Sequence, residues 1–93
     1  MHNVAVRVVF DPAKNTANRR KHGIDLGDAS PVLDDPYVVT VEDEDADGER
    51  RFVSLGRDAL GRLVVVVWTE REDTIRLLSA RKASRGEGKH YKG

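Results

Sequence analysis

Cysteine is absent from the 93 residues, which excludes disulfides, thiolate zinc sites and cysteine nucleophiles at once. That composition suits a reducing cytoplasm, the location expected here. Long apolar runs are also missing. The longest covers residues 63–68, far short of the roughly 20 residues a membrane helix needs, so no contact with a membrane is expected. Met1, His2 and Asn3 begin neither a basic leader nor an apolar stretch, so no secretory signal is expected. No glycine-rich phosphate loop, serine triad or pair of carboxylates on rigid elements is visible, which leaves nucleotide hydrolysis and glycosidase chemistry without support. His2 and His90 have no companion at metal-ligand spacing, and no cofactor is expected.

An excess of one charge is lacking too. Sixteen basic and sixteen acidic side chains cancel, which argues against a generic nucleic-acid binder. The sum hides a polarised chain: residues 34–49 hold eight acids and no base, while residues 74–93 hold six bases and one acid, Glu87. Such asymmetry fits one surface for an anionic partner and another for a cationic one, against the alternative of a purely solvated surface. The length fits one domain over residues 1–93, with residues 82–93 a frayed C-terminal helix or tail. A chain this short buries only somewhat over 60% of its unfolded surface, so its core is thin.

Alternation predicts a strand over residues 4–10. Asp11 and Pro12 then start a helix, the carboxylate capping free amides and the proline losing no bond at the first position. This helix runs to His22 and ends at Gly23. With only Ala13 and Ala17 apolar, it is expected at the rim. A second helix start at Asp25 is followed by Pro31, which predicts a short, distorted or partly 3₁₀ turn with Ala29, Val32 and Leu33 inward. Residues 38–43, 50–57, 62–69 and 74–80 come next with period two and short connections, an antiparallel meander. Residues 63–68 are apolar on both faces, which places that strand centrally.

Several motifs bear on function. Asp43, Asp45, Asp47 and Gly48 resemble half of an EF-hand loop, but the twelfth position is Ser54; a solvated hairpin tip is the better reading. Lys21 and His22 at a helix end suit either a charged C-cap or proton transfer beside a bound anion. Arg71, Arg76, Arg81, Lys82 and Arg85 crowd the last hairpin and its exit, where guanidinium groups match phosphate oxygens. Simple alternation puts Arg76, Leu78 and Ala80 on one face and Ile75, Leu77, Ser79 and Arg81 on the other, so Arg76 and Arg81 converge only through a twist or bulge. Trp68 and Tyr91 are the candidates for stacking on bases, with core placement the alternative for Trp68.

Taken in order, Phe10-Asp11-Pro12-x-Lys14, Asn18-x-x-Lys21-His22-Gly23-Ile24, Asp34-Asp35-Pro36, Glu49-x-Arg51-Phe52, Thr69-Glu70-Arg71 and Ile75-Arg76-x-x-Ser79-Ala80-Arg81-Lys82-Ala83 resemble the BrnT family of type II toxins. Pro31, Gly86 and Gly88 depart from the family's pattern. The resemblance implies an α+β, RelE-like fold, a small antiparallel sheet with an N-terminal strand and two helices against it. It implies a metal-independent ribonuclease that inhibits translation, neutralised by a ribbon-helix-helix antitoxin through which alone DNA is contacted. In the implied reaction the RNA 2′-hydroxyl attacks the adjacent phosphorus. Arg76 and Arg81 would then stabilise charge, His22 would move a proton, and Lys21 or Thr69 would orient the scissile group. Arg51, Arg71, Lys82, Arg85 and Tyr91 would hold RNA. The alternative from another class is a non-catalytic module, a degenerate toxin that binds RNA or protein.

Overall fold

The computed structural model describes residues 7–43 and 49–93. The first half of the expected N-terminal strand, His2 and the centre of the acidic segment, with its half EF-hand pattern, lie outside the described residues. The elements run β1 (Arg7–Val9), α1 (Pro12–His22), α2 (Leu26–Ala29), a 3₁₀ turn (Ser30–Asp34), β2 (Val39–Asp43), β3 (Arg51–Arg57), β4 (Leu63–Arg71), β5 (Thr74–Lys82) and α3 (Arg85–Gly88). The strands form one sheet in the order β1-β5-β4-β3-β2. β2 to β5 are the antiparallel meander, and β1 adds in parallel to β5. The apolar strand β4 is central, third of five.

Both helix starts arise from their caps. Asp11 accepts from the amide of Ala13 at 2.8 Å, and Gly23 ends α1 with φ 71°, a left-handed conformation that costs glycine little. Asp25 caps α2 by accepting from Gly27 at 2.7 Å, and Pro31 turns the continuation into the 3₁₀ segment. Ile24, Leu26, Ala29 and Val32 pack on Val64, Val66, Leu77 and Ala80 of the sheet. Every one of these eight side chains has 0% exposure. Gly56 permits the close approach of the 3₁₀ turn to β3, since a Cβ there would stand 3.1 Å from an Asp35 carboxylate oxygen and 3.2 Å from Val32.

Helix α1 docks differently. Its one buried side chain is Asn18, whose amide donates to the carbonyls of Ile24 (2.8 Å) and Ala80 (2.9 Å) and accepts from the Ala80 amide at 3.1 Å. A polar clamp on β5 thus substitutes for the apolar stripe the helix lacks.

Strict alternation fails in β5. Val67 pairs with Ser79 and Trp68 with Leu77, so Leu78 is an unpaired bulge residue. The bulge inverts the parity expected for the second half of the strand. Ala80 joins Leu77 on the helix-covered face, and Arg76, Ser79 and Arg81 project together from the opposite face.

Candidate active site

On the face away from α2, cross-strand register builds one row from Arg51 on β3, Thr69 on β4 and Arg76 on β5, because directly paired residues share a face. Asp43 on β2 and Val9 on β1 extend it at either end. Thr69 is 1% exposed, and its Oγ1 finds no hydrogen-bond partner among the described residues. A buried hydroxyl left unpaired costs roughly 1–3 kcal/mol. Such a cost calls for a reason at the site. Arg51 and Arg76 are exposed and make no ion pair among the described residues.

A cavity of about 280 Å³ opens over this row, lined by Lys14, Glu49, Arg51, Arg71, Arg76 and Leu78. Lys14 and Leu78 also line a neighbouring hollow of about 290 Å³ that holds Lys21, His22 and Ser79. The two hollows share these side chains as a common wall. The Asn18 clamp places α1 beside β5 so that Lys14, Lys21 and His22 reach the groove, and the bulge supplies Leu78 as its shared wall. Chemically, the two hollows offer cations for a phosphate, with a buried hydroxyl in the row between Arg51 and Arg76, an imidazole on the α1 side and a carboxylate beside Arg71. Glu49 Oε1 stands 4.0 Å from Arg71 Nη2, too far for a hydrogen bond.

Other residues singled out from the sequence lie apart. Arg81 shares the face of Arg76 but pairs with Val65, four positions from Thr69 along β4, about 13 Å at strand spacing. Its guanidinium donates to both oxygens of Glu87, at 2.7 and 2.8 Å. That fork raises the affinity of Arg81 for its proton. With help from the Ser84 amide, it holds the Glu87 carboxyl down at about 2. Glu87 and Ser84 also form the capping box of α3. Tyr91 donates to Asp35 at 2.6 Å and lies 6.4 Å from the Tyr37 ring, with Arg57 over its face. This bond lowers the Asp35 carboxyl's proton affinity, and raises that of the Tyr91 hydroxyl. Lys82 pairs with Val64, so it projects from the helix-covered side, and Arg85 is exposed on α3. Trp68 stacks on Phe52 at 4.5 Å and donates to Ser54 at 2.8 Å, packed against the core.

Three contributors were not singled out for these roles from the sequence: Lys14, Glu49 and Asn18. All three belong to the motifs that carry the family resemblance, but only the fold shows what each of them touches. Among the described residues no group of three histidine, cysteine or acidic side chains is arranged to hold a metal ion. None of their helices is long and apolar enough to cross a membrane.

Residues 10–87 match the family described as the ribonuclease toxin, BrnT, of type II toxin-antitoxin systems. No curated protein sequence matches. The fold is similar to that of the crystal structure of the Brucella abortus ribonuclease toxin BrnT. The TM-score is 0.67, with 22% identity over 86% of this chain and 99% of that one.

Proposed function

Because this chain belongs to the BrnT family of ribonuclease toxins of type II toxin-antitoxin systems, we propose that it cleaves single-stranded RNA without a metal ion and so blocks translation. One observation carries the mechanism: the Arg51–Thr69–Arg76 row with a buried, unpartnered hydroxyl at its centre. Attack of the 2′-hydroxyl on phosphorus builds negative charge on the non-bridging oxygens. Guanidinium groups on either side of a buried position stabilise that charge more than they stabilise the ground state, which is what accelerates the step. The Thr69 hydroxyl gains a partner when a phosphate oxygen or ribose hydroxyl arrives, so its desolvation cost is offset on binding. Lys14, Lys21 and Arg71 hold the flanking backbone, and His22 moves a proton at the α1 end. Arg81 is held by Glu87 in the free protein and contributes to RNA only after that fork opens.

The family implies an antitoxin partner. We place it over the same row, since a surface that attracts phosphate attracts carboxylates equally. A ribbon-helix-helix antitoxin would inhibit by covering Arg51 and Arg76. Val39, Val53 and the 58% exposed Val41 continue that face as an apolar strip suited to a partner's side chains. DNA would be reached only through the antitoxin.

Incubation of the purified protein with a single-stranded RNA in excess EDTA tests the reading. Fragments ending in a 2′,3′-cyclic phosphate and a 5′-hydroxyl are expected. Strict dependence on a divalent ion overturns the mechanism, and tight RNA binding with no cleavage favours the non-catalytic module instead.

A further inference from the structure

The groove contains one carboxylate among its cations. Glu49 lines the same cavity as Lys14, Arg51, Arg71 and Arg76, which is unexpected for a surface whose only task is to attract phosphate, because a carboxylate there weakens the field. Its side chain is 39% exposed, so it stays within reach of a ligand. The approach to Arg71, at 4.0 Å, leaves both oxygens without a short bond to that partner. Asp43 stands at the outer end of the row beyond Arg51, and Glu72 lines a hollow with Arg71 and Arg76 at the β4–β5 turn. Neither lines the cavity over Thr69.

Position matters as much as identity. In-line displacement at phosphorus puts the entering and departing oxygens on opposite sides, so a base and an acid serve it best from opposite ends of one groove. The imidazole and ammonium of His22 and Lys21 occupy the α1 end. Glu49 precedes β3, on the other side of the Arg51–Thr69–Arg76 row.

We propose that Glu49 is the general base of this ribonuclease, acting across the guanidinium row from the proton donor at the α1 end. The inference rests on the ribonuclease reading above. The carboxylate takes the proton of the 2′-hydroxyl as the 2′-oxygen bonds to phosphorus. The bond from phosphorus to the 5′-oxygen breaks, and that oxygen accepts a proton from His22 or Lys21. The products are a 2′,3′-cyclic phosphate and a 5′-hydroxyl, after which both groups exchange protons with water. Lys14 from α1, Arg51 from β3, Arg71 from β4 and Arg76 from β5 surround the carboxylate, with Asp43 and Glu72 the neighbouring acids. RNA binding draws part of this cationic surround onto phosphate.

Single-turnover cleavage of a single-stranded RNA oligonucleotide by the full chain tests this, with a 2′-methoxy version of the same oligonucleotide reporting binding. Glu49→Gln is expected to lower the cleavage rate at least ~100-fold, the usual worth of a positioned base. The acidic limb of the pH–rate profile should vanish, while affinity for the 2′-methoxy RNA and the circular dichroism spectrum stay within threefold and unchanged, respectively. Glu49→Asp, which retains a shorter carboxylate, should recover part of the rate. Glu42→Gln, which removes an exposed carboxylate from β2, should stay within twofold of the parent. Cleavage by Glu49→Gln within threefold of the parent, or an acidic limb that survives the substitution, overturns the proposal while the ribonuclease reading stands. A parent protein that leaves RNA intact overturns both.

Discussion

Arg76 and Arg81 leave the same face of the same strand, yet one lies open beside a buried, unpartnered hydroxyl and the other is clasped by a carboxylate in a two-bond fork. Their neighbours in space set the difference. Arg76 faces Thr69 and Arg51 across the sheet, and no acid is fixed against it. After Arg81 the chain turns within a few residues into α3, whose capping box aims Glu87 back at the strand. Identical side chains therefore do opposite work. One end of the face leaves its charge uncompensated among the described residues, and the other uses its charge to attach the C-terminal segment.

The sharpest way to break this comparison is to remove each guanidinium in turn. Arg76→Ala should reduce RNA cleavage ~100-fold or more, the scale on which a single donor to a developing anion acts. Arg81→Ala should reduce it by less than about tenfold. Equal losses in a single-turnover assay would show that Glu87 releases Arg81 to the RNA. Next comes the clamp that brings α1 to the open end. Asn18→Ala strands two carbonyls and one amide, and each unmet buried group costs about 1–3 kcal/mol, so urea denaturation should report a loss of about 3 kcal/mol or more. Cleavage should fall with it, since Lys14 and His22 lose their mount. A midpoint unchanged from the parent would mean that water replaces the side chain without cost.

A smaller effect with a distinctive sign belongs to Thr69. Thr69→Val removes a hydroxyl that has no partner in the free protein, so thermal unfolding should shift upward by a few degrees, equivalent to roughly 1 kcal/mol. Turnover should drop about tenfold, the equivalent of one hydrogen bond lost to the transition state. A fall in both quantities would place a partner on the hydroxyl already. Smallest is the acid sensitivity of the closed end. Glu87 titrates at about 2 in the folded chain against an ordinary value of 4.5, so its contribution is complete above pH 4.5 and lost as pH falls toward 2. A partly exposed pair is screened, which limits the effect to about 1 kcal/mol or less. The stability gap between the parent and Glu87→Gln should close across that window and be constant above pH 5.

The elements themselves were largely legible in the sequence, for local reasons. Asp11, Pro12 and Gly23 punctuate α1, Pro31 spoils the second helix as proline must, and the apolar run at 63–68 is the central strand. The site was legible only as a set of residue types. Thr69 and Arg76 lie close on either side of the β4–β5 turn, but their adjacency is a matter of register, which no local pattern encodes. The bulge at Leu78 was legible only as a condition for convergence, since a bulge residue carries no compositional signature when it is a leucine. Asn18 stood out only as a motif residue and not as a clamp, because a hydrophobic search passes over an amide, though the poverty of α1 in apolar residues was itself the signal that something polar must hold it. Lys14 and Glu49 are 35 residues apart in sequence and meet only across the finished sheet.

Leu78 also sets a rule about heredity. A strand read two residues at a time has no tolerance for a change of count, except where it already carries a surplus, and β5 has one residue more than β4 opposite Val67 and Trp68. Losing the Leu78 codon would join Leu77 directly to Ser79 and leave every other side chain of β5 on its present face, with Ala80 still against Val66 and Asn18. Losing a codon from β4, at Val66 for example, has no such remedy and turns half of that strand inside out. A library of single-codon deletions sorted for folded protein should therefore keep its survivors within the sheet at positions 77 and 78, whose loss gives one and the same chain, and at their neighbour 79. Those survivors would be folded chains from which the shared wall of the groove had been erased.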